Sequence, residues 1–115
     1  MNSYKDLDIY KISLDLFYAT HPASLLLPKH ELYELGSQLV RSSDSIVTNI
    51  EGYGRRKYKA DFIRFLAFSH SSCLETINYL YKNAIANNLE LIQLNNDLGR
   101  KIYNFIKYVE QNHKS

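Results

Sequence analysis

Residues 35–66 decide the fold, and they read LGSQLVRSSDSIVTNIEGYGRRKYKADFIRFL. Apolar residues recur at the spacing of one helical face in both halves of this stretch: Leu35, Leu39, Ile46 and Ile50, then Phe62, Phe65 and Leu66. Between the halves, Gly52 and Gly54 interrupt the helical pattern. The stretch therefore predicts two helices joined by a turn.

The predicted turn is unusually basic, and residues 55–59 are called the basic turn below. It contains Arg55, Arg56, Lys57 and Lys59. From Tyr53 to Arg64 the five cations against one carboxylate give a local charge of +4, in a chain whose net charge is only +2. The remainder is thus slightly acidic, and the basic character is concentrated in one place.

Length and composition predict one globular domain spanning residues 1–115. Hydrophobic residues make up 45% and charged residues 23% of the 115, which is ordinary for a folded domain. No apolar run approaches the roughly 18 residues that a membrane span needs, and no N-terminal signal pattern is present. Cys73 is the only cysteine, which excludes an internal disulfide and fits a reducing compartment. We expect a soluble, cytoplasmic protein without a membrane partner.

Helical periodicity predicts four helices, at about 3–20, 29–50, 58–86 and 90–111. The first is expected to end at His21-Pro22, because the residue before a proline is driven out of the helical region. Asn87-Asn88 is expected to end the third. Short connections between the last three helices favour an all-α, antiparallel up-down-up-down four-helix bundle of elongated shape.

The first helix carries two apolar stripes. We expect the first stripe to face the core; it consists of Leu7, Tyr10, Leu14 and Phe17. We expect the second to contact another subunit; it consists of Ile9, Ile12 and Leu16. The alternative for the second stripe is a wide core-facing surface under a long loop.

The core-facing seam of helix two includes small polar residues. Ser42 and Asn49 lie on this seam and Ser45 lies beside it, so we expect the three to form a structural polar core. A buried asparagine must find hydrogen-bond partners and tends to fix helix register. This structural role is favoured over a catalytic one.

Motifs for catalysis or metal binding are weak. His70 and Cys73 are three residues apart on one helix, but no second His/Cys pair completes a metal site, and a seam cysteine is expected to be buried and inert. Glu110-x-x-His113 has the spacing of a di-iron ligand pair but stands alone in the polar tail. We expect no metal, no cofactor and no enzymatic activity; a His70–Cys73 enzyme is the weakest alternative.

The basic turn is the candidate binding surface. Its cations would contact phosphates, and the neighbouring Tyr53 and Tyr58 would stack on unpaired bases. The N-terminus of helix three adds a positive dipole end. The alternative is a solvated basic loop that keeps the protein soluble.

Several motifs resemble the bacterial 23S ribosomal RNA intervening-sequence proteins. They are Gln38-x-x-Arg41, Ser45-Ile46-x-x-Asn49-Ile50, Glu51-Gly52, Gly54-Arg55-Arg56 and Phe62-Ile63-Arg64-Phe65-Leu66. The resemblance extends from about Tyr4 to Ala86. The chain departs from the family's Asn-Ile-Ala-Glu-Gly in lacking the alanine, has one extra residue before Asp61, and has Cys73 where a glutamate is common.

The resemblance implies a non-enzymatic four-helix bundle that assembles as a homopentamer. Relatives include accessory proteins of diversity-generating retroelements, which bind a reverse transcriptase and nucleic acid, so RNA or a reverse transcriptase-like protein is the implied partner. Motif positions carry the basic surface over to Arg41, Arg55, Arg56 and Arg64. Two functions stay open: RNA binding through the basic turn, or a scaffolding oligomer in which the same cations hold subunits together.

Overall fold

The computed structural model describes residues 4–27, 29–82 and 89–113, without the side chains of residues 31–33 and 82. Within these ranges it contains four long helices and no strand: α1 (Asp8–Ser24), α2 (Ser37–Gly54), α3 (Lys59–Lys82) and α4 (Leu89–Asn112). A 3-10 turn, Tyr4–Asp6, precedes α1, and the short helical segments Lys29–Glu31 and Leu32–Gly36 lead into α2. The predicted stop at Asn87-Asn88 lies outside the described residues.

The four helices form an antiparallel bundle in which each packs on two neighbours: α2 on α1 and α3, and α4 on α3 and α1. Contacts between opposite helix ends show the direction of the chain. Lys59, at the start of α3, reaches the carbonyl of Glu110 near the end of α4. The bundle measures 49 × 21 × 20 Å. The all-α up-down-up-down bundle predicted from the sequence is therefore confirmed, including its elongated shape.

Apolar side chains from all four helices share one core. Its fully buried members are Leu16, Ile46, Ile50, Leu66, Leu98, Ile102 and Val109. Each such aliphatic side chain contributes roughly 1.5–3 kcal/mol by leaving water. Leu98, Ile102 and Val109 lie on one face of α4 and bring that helix into the core.

The structure buries the second stripe of α1 more deeply than the first, although Leu7 and Tyr10 of the first stripe also pack against the core. Ile9 and Leu16 are 5% and 0% exposed and belong to the core of the single chain, so they are not free to contact another subunit. Ile12 is half-buried against the same core. The stripe predicted to face the core is only half-buried throughout: Leu7, Tyr10, Leu14 and Phe17. The seam that points inward instead contains Ser13, Thr20 and Ser24, whose hydroxyls donate to carbonyls of α1 itself.

α1 continues through Pro22 to Ser24, whereas the sequence predicted an end near Thr20. A proline inside a helix removes its own N–H donor, which would have served the carbonyl four residues earlier, at Tyr18. Both Pro22 and Tyr18 are exposed, so solvent can serve that carbonyl. The helix therefore tolerates this proline.

α2 extends to Gly54, four residues beyond the predicted end, and both glycines lie inside the helix. A Cβ on Gly52 would lie 2.5 Å from the Phe65 ring, and one on Gly54 would lie 2.6 Å from Cβ of Tyr4. The glycines thus permit close approach of neighbouring side chains to the α2 backbone. The sequence had suggested that the two glycines break the helix, and that prediction is wrong.

Small hydroxyl residues join α2 to α3, and we call them the hydroxyl seam: Ser42, Ser45, Ser69, Ser72 and Thr76. Thr76 Oγ1 donates to Ser42 Oγ at 2.9 Å, and Ser72 Oγ donates to Ser45 Oγ at 2.8 Å. Ser69 Oγ donates to the backbone carbonyl of Ile46 at 2.9 Å. Such short side chains let two helices approach closely while each buried hydroxyl keeps a partner.

Asn49 lies at the edge of this seam. It is half-buried, and its Nδ2 donates to the carbonyl of Ser45 at 2.8 Å and to Ser45 Oγ at 3.1 Å. Its hydrogen bonds are therefore made within α2, while Ser42 and Ser45 carry the contacts to α3.

Candidate nucleic-acid interface

The basic turn closes the end of the α2–α3 hairpin. Backbone N–H groups of Arg55 and Arg56 donate to the carbonyls of Gly52 and Tyr53, which finishes α2. The N–H of Phe62 donates to the carbonyl of Tyr58 and opens α3. The side chains of residues 55–58 all lie exposed on this tight connection, and Tyr58 is 65% exposed.

Two of the cations face solvent and a third is used inside the chain. Arg55 and Lys57 form no ion pair or hydrogen bond with any side chain in residues 4–27, 29–82 and 89–113. Lys59 is half-buried, and its Nζ donates to the Glu110 carbonyl at 2.6 Å. That carbonyl belongs to the negative C-terminal end of α4, so Lys59 ties α3 to α4.

An aromatic ring lies under Arg56, which is also exposed. Cζ of Arg56 lies 4.5 Å from the centroid of the Phe65 ring, and Cζ of Arg64 lies 5.5 Å from it, both within cation–π range. Arg64 also pairs with Asp61 at 3.3 Å, in an exposed contact of small energetic weight. Phe65 thus organises two of the predicted arginines.

Phe68 extends this ring cluster along α3. Its ring centroid lies 6.1 Å from that of Phe65 at an interplanar angle of 82°, and 50% of the residue is exposed. Phe65, Phe68 and the supporting Gly52 were not among the sequence-predicted site residues. The signal available was the pair of phenylalanines three residues apart, directly after the basic turn, at a spacing that places them side by side on a helix.

Tyr53 does not belong to the exposed surface, contrary to the sequence prediction. It is only 9% exposed, and its ring packs edge-to-face on Phe62 and Phe105 at centroid distances of 5.3 and 5.5 Å. Burial, with a smaller contribution from Tyr108, raises its pKa above the usual 10.0. This ring is therefore unavailable for stacking on a base, because extension of α2 through residue 54 turns it into the core.

Arg41 is separated from the basic turn. It is exposed near the start of α2, beside a shallow pocket that His21, Leu25 and Val40 also line. Fourteen residues of continuous helix place it about 21 Å from Arg55 along the axis. The motif match carried both arginines to one surface, but the structure puts them toward opposite ends of the bundle.

His70 and Cys73 do not form an activated pair. Cys73 is 2% exposed, and burial raises the pKa of its thiol to about 12, so it is protonated and shielded at neutral pH. The His70 ring instead lies against Tyr103, with centroids 6.0 Å apart. The ring of His113, from the Glu110-x-x-His113 motif, packs on the Phe62 ring with centroids 4.9 Å apart.

Among the described residues, no group of three or more His, Cys, Asp or Glu side chains is placed to hold a metal ion. None of the helices in residues 4–27, 29–82 and 89–113 has the length and apolar character needed to cross a membrane.

Fold and surface together define the class: an all-α antiparallel four-helix bundle that presents exposed cations at one inter-helix turn. Residues 5–110 match the model of the 23S rRNA-intervening sequence protein family, so the chain belongs to that family. No curated protein matches the chain.

Proposed function

We propose that this protein is a non-enzymatic homo-oligomer that binds structured RNA through the basic turn. The observation that carries the proposal is the exposure of Arg55, Arg56 and Lys57 in succession at the end of the α2–α3 hairpin. Carboxylates of the described chain do not neutralise Arg55 or Lys57, so both charges are available to phosphates.

The turn lies between two helix ends of opposite partial charge, the C-terminus of α2 and the N-terminus of α3, so its positive potential comes from the cations themselves. Asp61 is the acidic residue in the first turn of α3, and its carboxylate pairs with Arg64. RNA phosphates would release condensed counterions on binding here, and the affinity would therefore depend steeply on salt. The family's name refers to 23S rRNA, which agrees with an RNA ligand.

A second candidate is a scaffolding oligomer that binds a protein, with the turn cations serving subunit contacts. Large apolar side chains on the described surface favour this reading: Leu25 and Leu26 are 58% and 69% exposed, and Leu74 is 57% exposed. Such side chains suit self-association, which would also repeat the basic turn around the assembly. A reverse transcriptase-like protein is the partner proposed under this reading.

The test compares two double variants that remove the same charge from opposite ends of the bundle. Arg55→Gln/Lys57→Gln removes two of the turn's four cations, and Lys29→Gln/Arg41→Gln is the matched control on exposed cations far from it. Fluorescence anisotropy with a structured RNA is recorded across a salt series, and oligomer mass is measured on the same samples. The slope of log K against log salt is negative, and we expect its magnitude to be smaller by about 2 in the turn variant, because each phosphate contact contributes roughly one unit. The control should retain the wild-type slope.

The outcomes separate the two candidates. A turn variant with normal oligomer mass and weakened RNA binding supports the RNA proposal. A turn variant that dissociates supports the scaffold. An intact wild-type oligomer that binds no RNA even at low salt contradicts the RNA proposal.

A further inference from the structure

We infer that the basic turn recognises RNA carrying unpaired bases, which stack on a platform formed by Arg56, Phe65 and Phe68. This inference rests on the proposed RNA binding and specifies which RNA is bound. The three residues are called the stacking platform.

The first part of the platform is a guanidinium supported from below. Because Gly52 has no side chain, the Phe65 ring lies directly on the α2 backbone, where a Cβ would approach it to 2.5 Å. Arg56 lies 4.5 Å above the ring centroid and is exposed. One side of the guanidinium therefore rests on an aromatic ring while solvent reaches the other. An arginine plane held in this way loses little conformational entropy when a base stacks on it.

The second part is the exposed Phe68 ring. It stands nearly perpendicular to Phe65 at 6.1 Å, about one helical turn further along α3, and is half exposed. Half of the Phe68 residue remains in contact with water, and a nucleobase is a flat apolar partner that would cover the exposed part of the ring.

Charge and shape together select the occupant. Aromatic and guanidinium faces can stack only on bases that are splayed out of a duplex, since the bases of paired A-form RNA are stacked on one another. The adjacent Arg55 and Lys57 carry positive charge that complements the phosphates of the same strand. A duplex would use the cations alone, and an apolar peptide would leave them unmatched.

The experiment measures binding of two RNAs of equal phosphate number: a hairpin with an open loop and a fully paired blunt duplex. Phe68→Leu removes the ring while keeping an apolar side chain, and Phe68→Trp restores a ring. Tyr81→Leu is the matched control, because Tyr81 is another exposed aromatic residue of α3, about 20 Å along the helix from Phe68. Thermal unfolding and oligomer mass confirm that each variant is folded and assembled.

We expect Phe68→Leu to weaken binding of the loop RNA about 5- to 150-fold, the range for loss of one stacked base, with little change for the duplex. Phe68→Trp should retain wild-type preference, and Tyr81→Leu should change neither affinity. Equal effects of Phe68→Leu on both RNAs, or none, would overturn the platform even if Arg55→Gln/Lys57→Gln still weakens RNA binding. Loss of oligomer mass in Phe68→Leu would overturn it by assigning the ring to a subunit contact. Absence of any RNA binding by wild-type protein would instead remove the proposed function itself.

Discussion

The α2–α3 hairpin has two parts with contrasting polar groups: the stem, where the hydroxyl seam joins the two helices, and the basic turn that connects them. In the stem, Thr76 and Ser69 are fully buried, and their hydroxyls donate to partners on α2 at 2.9 Å. In the turn, Arg55 and Lys57 are exposed and find no partner among the described side chains. The stem satisfies its polar groups internally, whereas the turn leaves its charges to solvent or to a ligand.

This contrast separates stability from recognition within one hairpin. A buried hydroxyl that loses its partner has no water to replace it, so changes in the stem should affect the free energy of unfolding. An exposed cation is solvated in both folded and unfolded chains, so changes in the turn should affect binding and leave folding nearly untouched. Four predictions test this separation, and all unfolding experiments compare variants at one protein concentration.

The largest effect is expected from overpacking the stem. Ser69→Leu places a branched side chain where α3 contacts the backbone of Ile46. We expect the free energy of unfolding in urea to fall by about 1–3 kcal/mol, because the helices must separate to admit it. Ser71→Leu is the control, since Ser71 is exposed on the same helix and should change stability by less than about 0.5 kcal/mol. Equal losses from both variants would show that the stem is not closely packed.

A pH series tests whether the core around Cys73, on α3, excludes a charged thiolate. Burial raises the pKa of the Cys73 thiol from 9.0 to about 12. Its contribution to stability is therefore complete below pH 9 and is lost as pH rises from 9 toward 12, because the unfolded chain ionises first. We expect wild-type stability relative to Cys73→Ala to decline by about 1.4 kcal/mol between pH 7 and pH 10. A difference that stays constant over this range would contradict burial of the thiol.

Loss of one hydrogen bond in the stem should cost less. Thr76→Val keeps the shape but removes the donor to Ser42 Oγ, so we expect a loss of about 1 kcal/mol in urea unfolding. Adding Ser42→Ala should cost less than the sum of the two single changes, because both remove the same contact. Thr48→Val, on the exposed side of α2, is the control. Full additivity would argue against a direct Thr76–Ser42 bond.

The smallest effect on stability is expected in the turn. Arg55→Gln/Lys57→Gln should change the free energy of unfolding by no more than about 0.5 kcal/mol, because neither cation has a partner in the described chain. The same variant should bind RNA more weakly than the wild type. A destabilisation above 1 kcal/mol would indicate that these cations support the fold or a subunit contact, and the separation of stem from turn would fail.

Most of the architecture was predictable because four helices of this length each carry a clear apolar period. α1 shows where the period misleads. The sequence favoured Leu7, Tyr10 and Phe17 for the core because they recur at the spacing of a helix seam, but the most deeply buried face is the one with Ser13 and Thr20. Thr20 Oγ1 lies 2.9 Å from Ser43 Oγ on α2, so short hydroxyl side chains lie where the two helices meet. Apolar spacing alone does not reveal that contact.

The candidate site was predicted only in part. Its charges are local features of the sequence and were found, but Tyr53 was assigned to the wrong side and Phe65 was missed. Both errors follow from reading Gly52 and Gly54 as helix breakers. Their function is to admit the Phe65 and Tyr4 side chains, which approach from other segments of the chain. No local pattern contains that information.

Local sequence was enough to predict the number of helices, their antiparallel order and the concentration of charge between the second and third. These follow from periodicity and composition, which depend on near neighbours along the chain. Packing between helices determines which face of α1 is buried, how far α2 extends, and that Arg56 rests on Phe65 while Arg41 stands apart. These depend on which side chains from distant segments compete for the same space, and packing settles that competition only when all four helices are in place.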